Sequence, residues 1–183
     1  ALRLVIINGI GLEVILKTFK DKRMFDFCTP IVFAEFDLVQ HLNRKIGLDD
    51  KSFRHIHSLK DTTSKKINVI NCWQEKVVPQ FGQNTKEGGK YAFLSLQSAC
   101  DALKSRDTEA LVTAPINKDN IQSEQFNFPG HTEFLENQHQ GSSIMLMLSE
   151  HLRMGVVTGH IPLEKVAQHL NHDVVVKKIN LFH

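Results

Sequence analysis

The sequence predicts an α/β fold, a largely parallel sheet with helices on its faces, and three observations predict it. Short apolar and β-branched runs alternate with segments of helical period along the chain. The 183 residues are 42% hydrophobic and 23% charged, close to globular averages, which excludes a disordered or collagen-like chain. The longest apolar runs, Leu4–Ile7 and Ile144–Leu148, are far too short to cross a bilayer.

The strands expected in order are Leu4–Ile7, Ile31–Ala34, Ile67–Ile70, Ala110–Thr113, Ile144–Leu148 and Met154–Thr158. Helices are expected at Leu12–Lys20, Phe36–Ile46, Lys90–Arg106, Thr132–Asn137 and Leu163–Leu170. Lys90–Arg106 is the clearest. Tyr91, Leu94, Ala99, Ala102 and Leu103 share one apolar stripe, and Lys104 and Arg106 suit the negative end of the helix dipole. Asp49–Lys66 is polar and reads as an irregular surface excursion. Val174–His183 reads as an amphipathic helix without a C-terminal cap, which points to an enzyme incompletely represented. Val5–Gly9, where a strand meets a glycine turn with almost no loop, points the same way, as does the join near Asn137–Ser142.

Lys plus Arg number 22 against 20 Asp plus Glu, a net charge of +2, with no basic block. A dedicated nucleic-acid or anionic-membrane binder is therefore not expected. Cys28, Cys72 and Cys100 show no CxxC spacing and read as buried thiols in a reducing cytoplasm. No signal peptide is expected at the start, where Ala1–Leu4 runs straight into strand-like sequence.

Four segments could carry chemistry. Asn8–Glu13 (NGIGLE) follows a strand and opens a helix, so Gly9 and Gly11 would let backbone N–H groups approach an anion. The third glycine of a dinucleotide fingerprint is missing, and a plain tight turn reads equally well. In Leu111–Lys118 (LVTAPINK) a strand ends at Thr113 and Pro115 pre-sets a helix. Lys118 would sit a turn inside, at the carboxyl edge where open sheets bind ligands, unless it is a solvated surface lysine. Phe128–Leu135 (FPGHTEFL) brings His131 and Thr132 together at a helix start, suited to an anionic ligand or to a simple Thr cap. His160, in MGVVTGHIPL, follows what reads as a buried strand and could ligate a metal, although a lone histidine is more ordinarily a loop residue. His55 and His57 read as solvated, and His151, His169 and His172 as helix-end or exposed residues.

In this order, LVTAPINK, PGHTEFLE (Pro129–Glu136) and IMLMLSEHLRMGVVTGHIPL (Ile144–Leu163) resemble the 4-hydroxythreonine-4-phosphate dehydrogenases of vitamin B6 biosynthesis. NGIGLEVILK at Asn8–Lys17 is similar to the family's opening turn, although the Gly-Asp-Pro that precedes it in the family is absent. The resemblance covers most of the chain and roughly the N-terminal half to three-fifths of a family member. It implies an isocitrate/isopropylmalate-dehydrogenase-like α/β/α sandwich of two subdomains with a cleft. Residues 1–126 would form part of the first subdomain and residues 127–183 the start of the second. It also implies a homodimer that oxidises 4-phosphohydroxy-L-threonine with NAD or NADP, with carbon dioxide then lost to give 3-amino-2-oxopropyl phosphate. By residue, the resemblance implies substrate binding by His131 and Thr132 and metal ligation (Zn, Mg or Co) by His160, the first of three histidines, with the other two beyond His183. Lys118 is a candidate catalytic residue, and the cofactor-binding residues stay unknown. Three rivals stand against it: a dehydrogenase of another phosphorylated four-carbon acid such as threonate or erythronate phosphate, a phosphate acyltransferase without metal histidines, and a binding module without catalysis.

Overall fold

The computed structural model describes residues 2–4, 9–47, 50–139 and 141–183, in two compact units, Ala1–His131 and Thr132–His183. The first unit holds a five-stranded sheet of β1 (Leu2–Leu4), β2 (Ile31–Phe33), β3 (Phe53–Ile56), β4 (Ile67–Ile70) and β5 (Leu111–Val112). The strand order is β3-β4-β2-β1-β5 and every pairing is parallel. The chain leaves β1 toward β2 on one side and returns to β5 on the other, so the β1/β5 boundary is the switch point where such sheets bind ligands.

Helix α1 (Gly11–Thr18) forms because Leu12, Ile15, Leu16 and the following Phe19 repeat on one face and are buried. Helix α2 (Met24–Phe27) is a single turn that the sequence reading passed over. Helix α3 (Phe36–Ile46) buries Leu38, Val39 and Leu42 and packs against α1. It stops at Gly47, whose left-handed backbone (φ 75°) lets its N–H reach Asn43 O at 2.8 Å. Helix α4 (Lys86–Lys104) packs against β1, β2 and β5 and carries the expected stripe inward. It begins four residues before the expected Lys90, because Thr85 Oγ1 accepts the Gly88 N–H at 3.1 Å and caps it. Gly88 and Gly89 hid that start, and tertiary contact explains Gly89: a Cβ there would lie 1.8 Å from the Asn120 carbonyl oxygen.

Asp49–Lys66 is not the irregular excursion expected. Phe53 and Ile56 are buried and pair β3 to β4 as an edge strand, flanked by short 3-10 turns. Only four residues long, with Arg54 and His55 between its apolar ends, it shows no alternation. Nor is His55 simply solvated: its ring stacks on Phe36 at 4.7 Å and meets His57 at 4.6 Å. Of the strand expected at Leu4–Ile7, residues 5–7 lie outside the described residues, as do the junction at residues 5–8 and residue 140 near the second join.

The second unit contains α5 (His131–His139), β6 (Met145–Leu148), β7 (Arg153–Val156), α6 (Leu163–His169) and α7 (His172–Phe182). Here the sheet is antiparallel, not parallel, because only four residues separate the strands and a parallel pair needs a long crossover. Every β6 side chain is exposed and β7 is at most half-buried, so the strand before His160 is not the buried one expected. Cys28, Cys72 and Cys100 are free; Cys100 is buried and the other two half-buried. Among the described residues, no helix is long and apolar enough to cross a membrane.

Candidate active-site residues

At the switch point, the glycine turn before α1 faces the loop after β5. Gly9, Ile10, Asn84, Pro115 and Asn117 line a groove of about 340 Å³ there. Helix α1 begins just beyond Ile10, which makes no side-chain cap hydrogen bond.

The helix expected after Pro115 does not form. Asn117 Oδ1 instead accepts the N–H groups of Asp119 (3.1 Å) and Asn120 (2.9 Å), closing a turn at Lys118–Ile121. The peptide of Asn120 rests on Gly89 of α4, which leaves no room for a Cβ. Lys118 is exposed on this turn. The Gln122 side chain ties the turn to the next segment by donating to Lys118 O (3.0 Å) and Phe128 O (2.9 Å).

That segment leads to His131 at the first position of α5, with Thr132 beside it, so both arrive at a helix start as the sequence indicates. His131 is half-buried. Its Nε2 is shielded from solvent with no hydrogen-bond partner among the described residues. Burial lowers its pKa below the ordinary 6.5, and the nearby charge of Lys118 lowers it further. The imidazole is therefore neutral at pH 7, with a shielded nitrogen free for a ligand. Lys118 and His131 thus share one electrostatic neighbourhood.

The second unit brings Thr132 and His160 together. Both line a pocket of about 320 Å³ with Glu133, Glu136, Ser143 and Lys178. His160 is exposed on the bend after β7, where Pro162 starts α6. Sequence reading missed Glu136, Ser143 and Lys178. The available signals were the i,i+4 spacing of Thr132 and Glu136 on α5, and a lysine on the face of α7 that carries Val174 and Val175. Among the described residues no three His, Cys, Asp or Glu side chains cluster as metal ligands. Cys72 and Cys100 are pushed up by burial, to about 12 and about 11, and are no nucleophiles.

A family model described as pyridoxal phosphate biosynthetic protein PdxA matches residues 26–183. The chain belongs to the PdxA family. Among curated relatives it is 34% identical over 179 residues to a 4-hydroxythreonine-4-phosphate dehydrogenase of Bacteroides thetaiotaomicron, covering 97% of this chain and 49% of that protein. It is 29% identical to the protein of the same name from Helicobacter pylori strain P12, covering 96% and 54%. The chain thus spans about half the length of the curated PdxA relatives it matches. Its fold matches the crystal structure of a 4-hydroxythreonine-4-phosphate dehydrogenase from Burkholderia phymatum, with a TM-score of 0.86 at 23% identity, over 98% of this chain and 55% of that one.

Proposed function

We propose that this PdxA-family protein oxidises 4-phosphohydroxy-L-threonine with NAD or NADP. The secondary alcohol loses a hydride to the nicotinamide and a proton to the medium, and the resulting 2-amino-3-oxo acid loses carbon dioxide to give 3-amino-2-oxopropyl phosphate. The observation that carries this reading is the shielded, unpartnered Nε2 of His131 beside Lys118, in a chain similar over almost its whole length to proteins of that name.

The roles follow from the environments. Lys118 places a positive charge near His131, suited to the phosphate or carboxylate of the substrate. Neutral His131 accepts a hydrogen bond from a substrate N–H or O–H, and the Thr132 hydroxyl binds beside it at the start of α5. A divalent metal (Zn, Mg or Co), when bound, would acidify the substrate hydroxyl and polarise the carbonyl it becomes. His160 offers it one imidazole, and the described residues assemble no set of three. On this reading residues 1–126 belong to the first subdomain and residues 127–183 open the second. The working assembly is a cytoplasmic homodimer acting on a small phosphorylated amino acid.

Full-length protein should form NADH with 4-phosphohydroxy-L-threonine faster than with threonate or erythronate phosphate. Preference for either of the latter would move the substrate within the same chemistry. Activity as a phosphate acyltransferase, independent of divalent metal, would overturn the dehydrogenase reading. His160→Ala should abolish turnover and weaken metal binding with an unchanged circular dichroism spectrum; unchanged activity removes His160 from the site. His131→Ala should raise KM for substrate much more than for NAD, and equal effects would count against its role.

A further inference from the structure

The pocket that holds Thr132 and His160 is lined from four elements, α5, β6, β7 and α7, and one small polar network joins α5 and α7 to the segment before β6. Glu136 on α5 accepts the Ser143 backbone N–H with Oε1 at 2.6 Å. Lys178 on α7 donates from Nζ to the Ser143 carbonyl oxygen, also at 2.6 Å. Both backbone polar groups of one residue are thus held by side chains of two different helices, just before the chain enters β6. The carboxyl of Glu136 is held below its usual range by the hydroxyl and amide of Ser143, then by the charges of Lys178 and Lys177.

The placement of Lys178 is unusual for a lysine. Val174, Val175 and Lys178 are the half-buried residues of α7, and Phe182, one turn past Lys178, packs against the hairpin. A Cβ on Gly155 of β7 would lie 2.9 Å from the Phe182 ring and 3.0 Å from Ile144. A charged residue within an otherwise apolar docking face costs stability unless its ammonium finds partners. Here it finds the Ser143 carbonyl and the field of Glu136, and all three residues line the pocket.

We propose that Glu136 and Lys178 are positioning residues that clamp Ser143 between α5 and α7 and so fix the placement of Thr132 relative to His160. Neither need touch substrate. The clamp holds the start of β6, and through it the hairpin and the bend after β7 that carries His160, against the helix that bears Thr132. That it serves substrate binding rests on the proposed function; the clamp itself does not.

Two readouts on the full-length protein separate the two. By hydrogen exchange, Lys178→Met and Glu136→Ala should each speed exchange of the amides at residues 143–148 about tenfold or more, with β4 amides unchanged. Lys178→Arg and Glu136→Gln, which keep a donor and an acceptor, should stay within about threefold of wild type. Kinetically, Lys178→Met should raise KM for the phosphorylated substrate about tenfold and KM for NAD less than about twofold, with Lys178→Arg restoring it. Unchanged exchange in Lys178→Met and Glu136→Ala overturns the clamp, and so does exchange as fast in the conservative pair. Faster exchange with both KM values unchanged, or raised equally, overturns the link to Thr132 and His160. A wild type without dehydrogenase activity overturns the functional reading while the exchange experiment still decides the clamp.

Discussion

At the scale of single residues, charge and burial decide what His131 can do. A histidine whose folded pKa lies below 6.5 binds protons more readily when unfolded. Its contribution to stability is complete above pH 6.5 and is lost as the pH falls toward the folded value. Relative to His131→Gln, wild type should therefore lose urea resistance between pH 8 and pH 5.5. A midpoint difference independent of pH would contradict the burial that the structure shows. The candidate residues Lys118, His131, Thr132 and His160 are legible in the sequence because each sits in a string of turn and cap chemistry. Glu136, Ser143 and Lys178 are not. Their role depends on a lysine of one helix reaching a carbonyl 35 residues earlier in the chain, which no local pattern announces.

Element by element, the strongest tertiary override is Gly89 inside α4. Replacing a helical glycine with alanine ordinarily gains about 1 kcal/mol from propensity. At Gly89 the new Cβ would meet the Asn120 carbonyl at 1.8 Å, and α4 cannot recede without leaving the sheet. Overpacking of this kind costs about 3 kcal/mol, so the clash wins. Gly89→Ala should lower stability in urea unfolding and disturb the amides of Asn117–Ile121, the turn that carries Lys118. Stabilisation by the variant would mean that the turn yields freely. The same competition explains why Pro115 opens no helix. Its φ is suitable, but the Asn117 side chain takes the N–H groups next in line and Asn120 is held on α4.

For the whole molecule, the two units differ in kind. The first buries a continuous core of Leu12, Ile15, Leu16, Val32, Val39, Ile67 and Val69 under parallel strands. The second carries Met145, Leu146, Met147 and Leu148 exposed on both faces of a two-stranded hairpin, an arrangement of marginal stability in water. In this chain, amides of β6 and β7 should therefore exchange well before those of β2 and β4. If His160 is one of three metal ligands, as proposed, then with no group of three among the described residues the chain of 183 residues alone should form no NADH and bind Co²⁺ or Zn²⁺ only weakly by calorimetry. Tight binding would place further ligands within these residues.

Local chemistry settled much by itself: apolar periodicity set the strands β2 and β4 and the helices α1, α3 and α4, and turn residues marked the segments where ligands could bind. Tertiary contact decided the rest. The burial of Phe53 and Ile56 makes β3 a strand, the peptide of Asn120 requires glycine at position 89 of a helix, and the short link between β6 and β7 makes their pairing antiparallel. Each depends on a neighbour that the local sequence does not name, because burial and close approach are properties of the assembled chain.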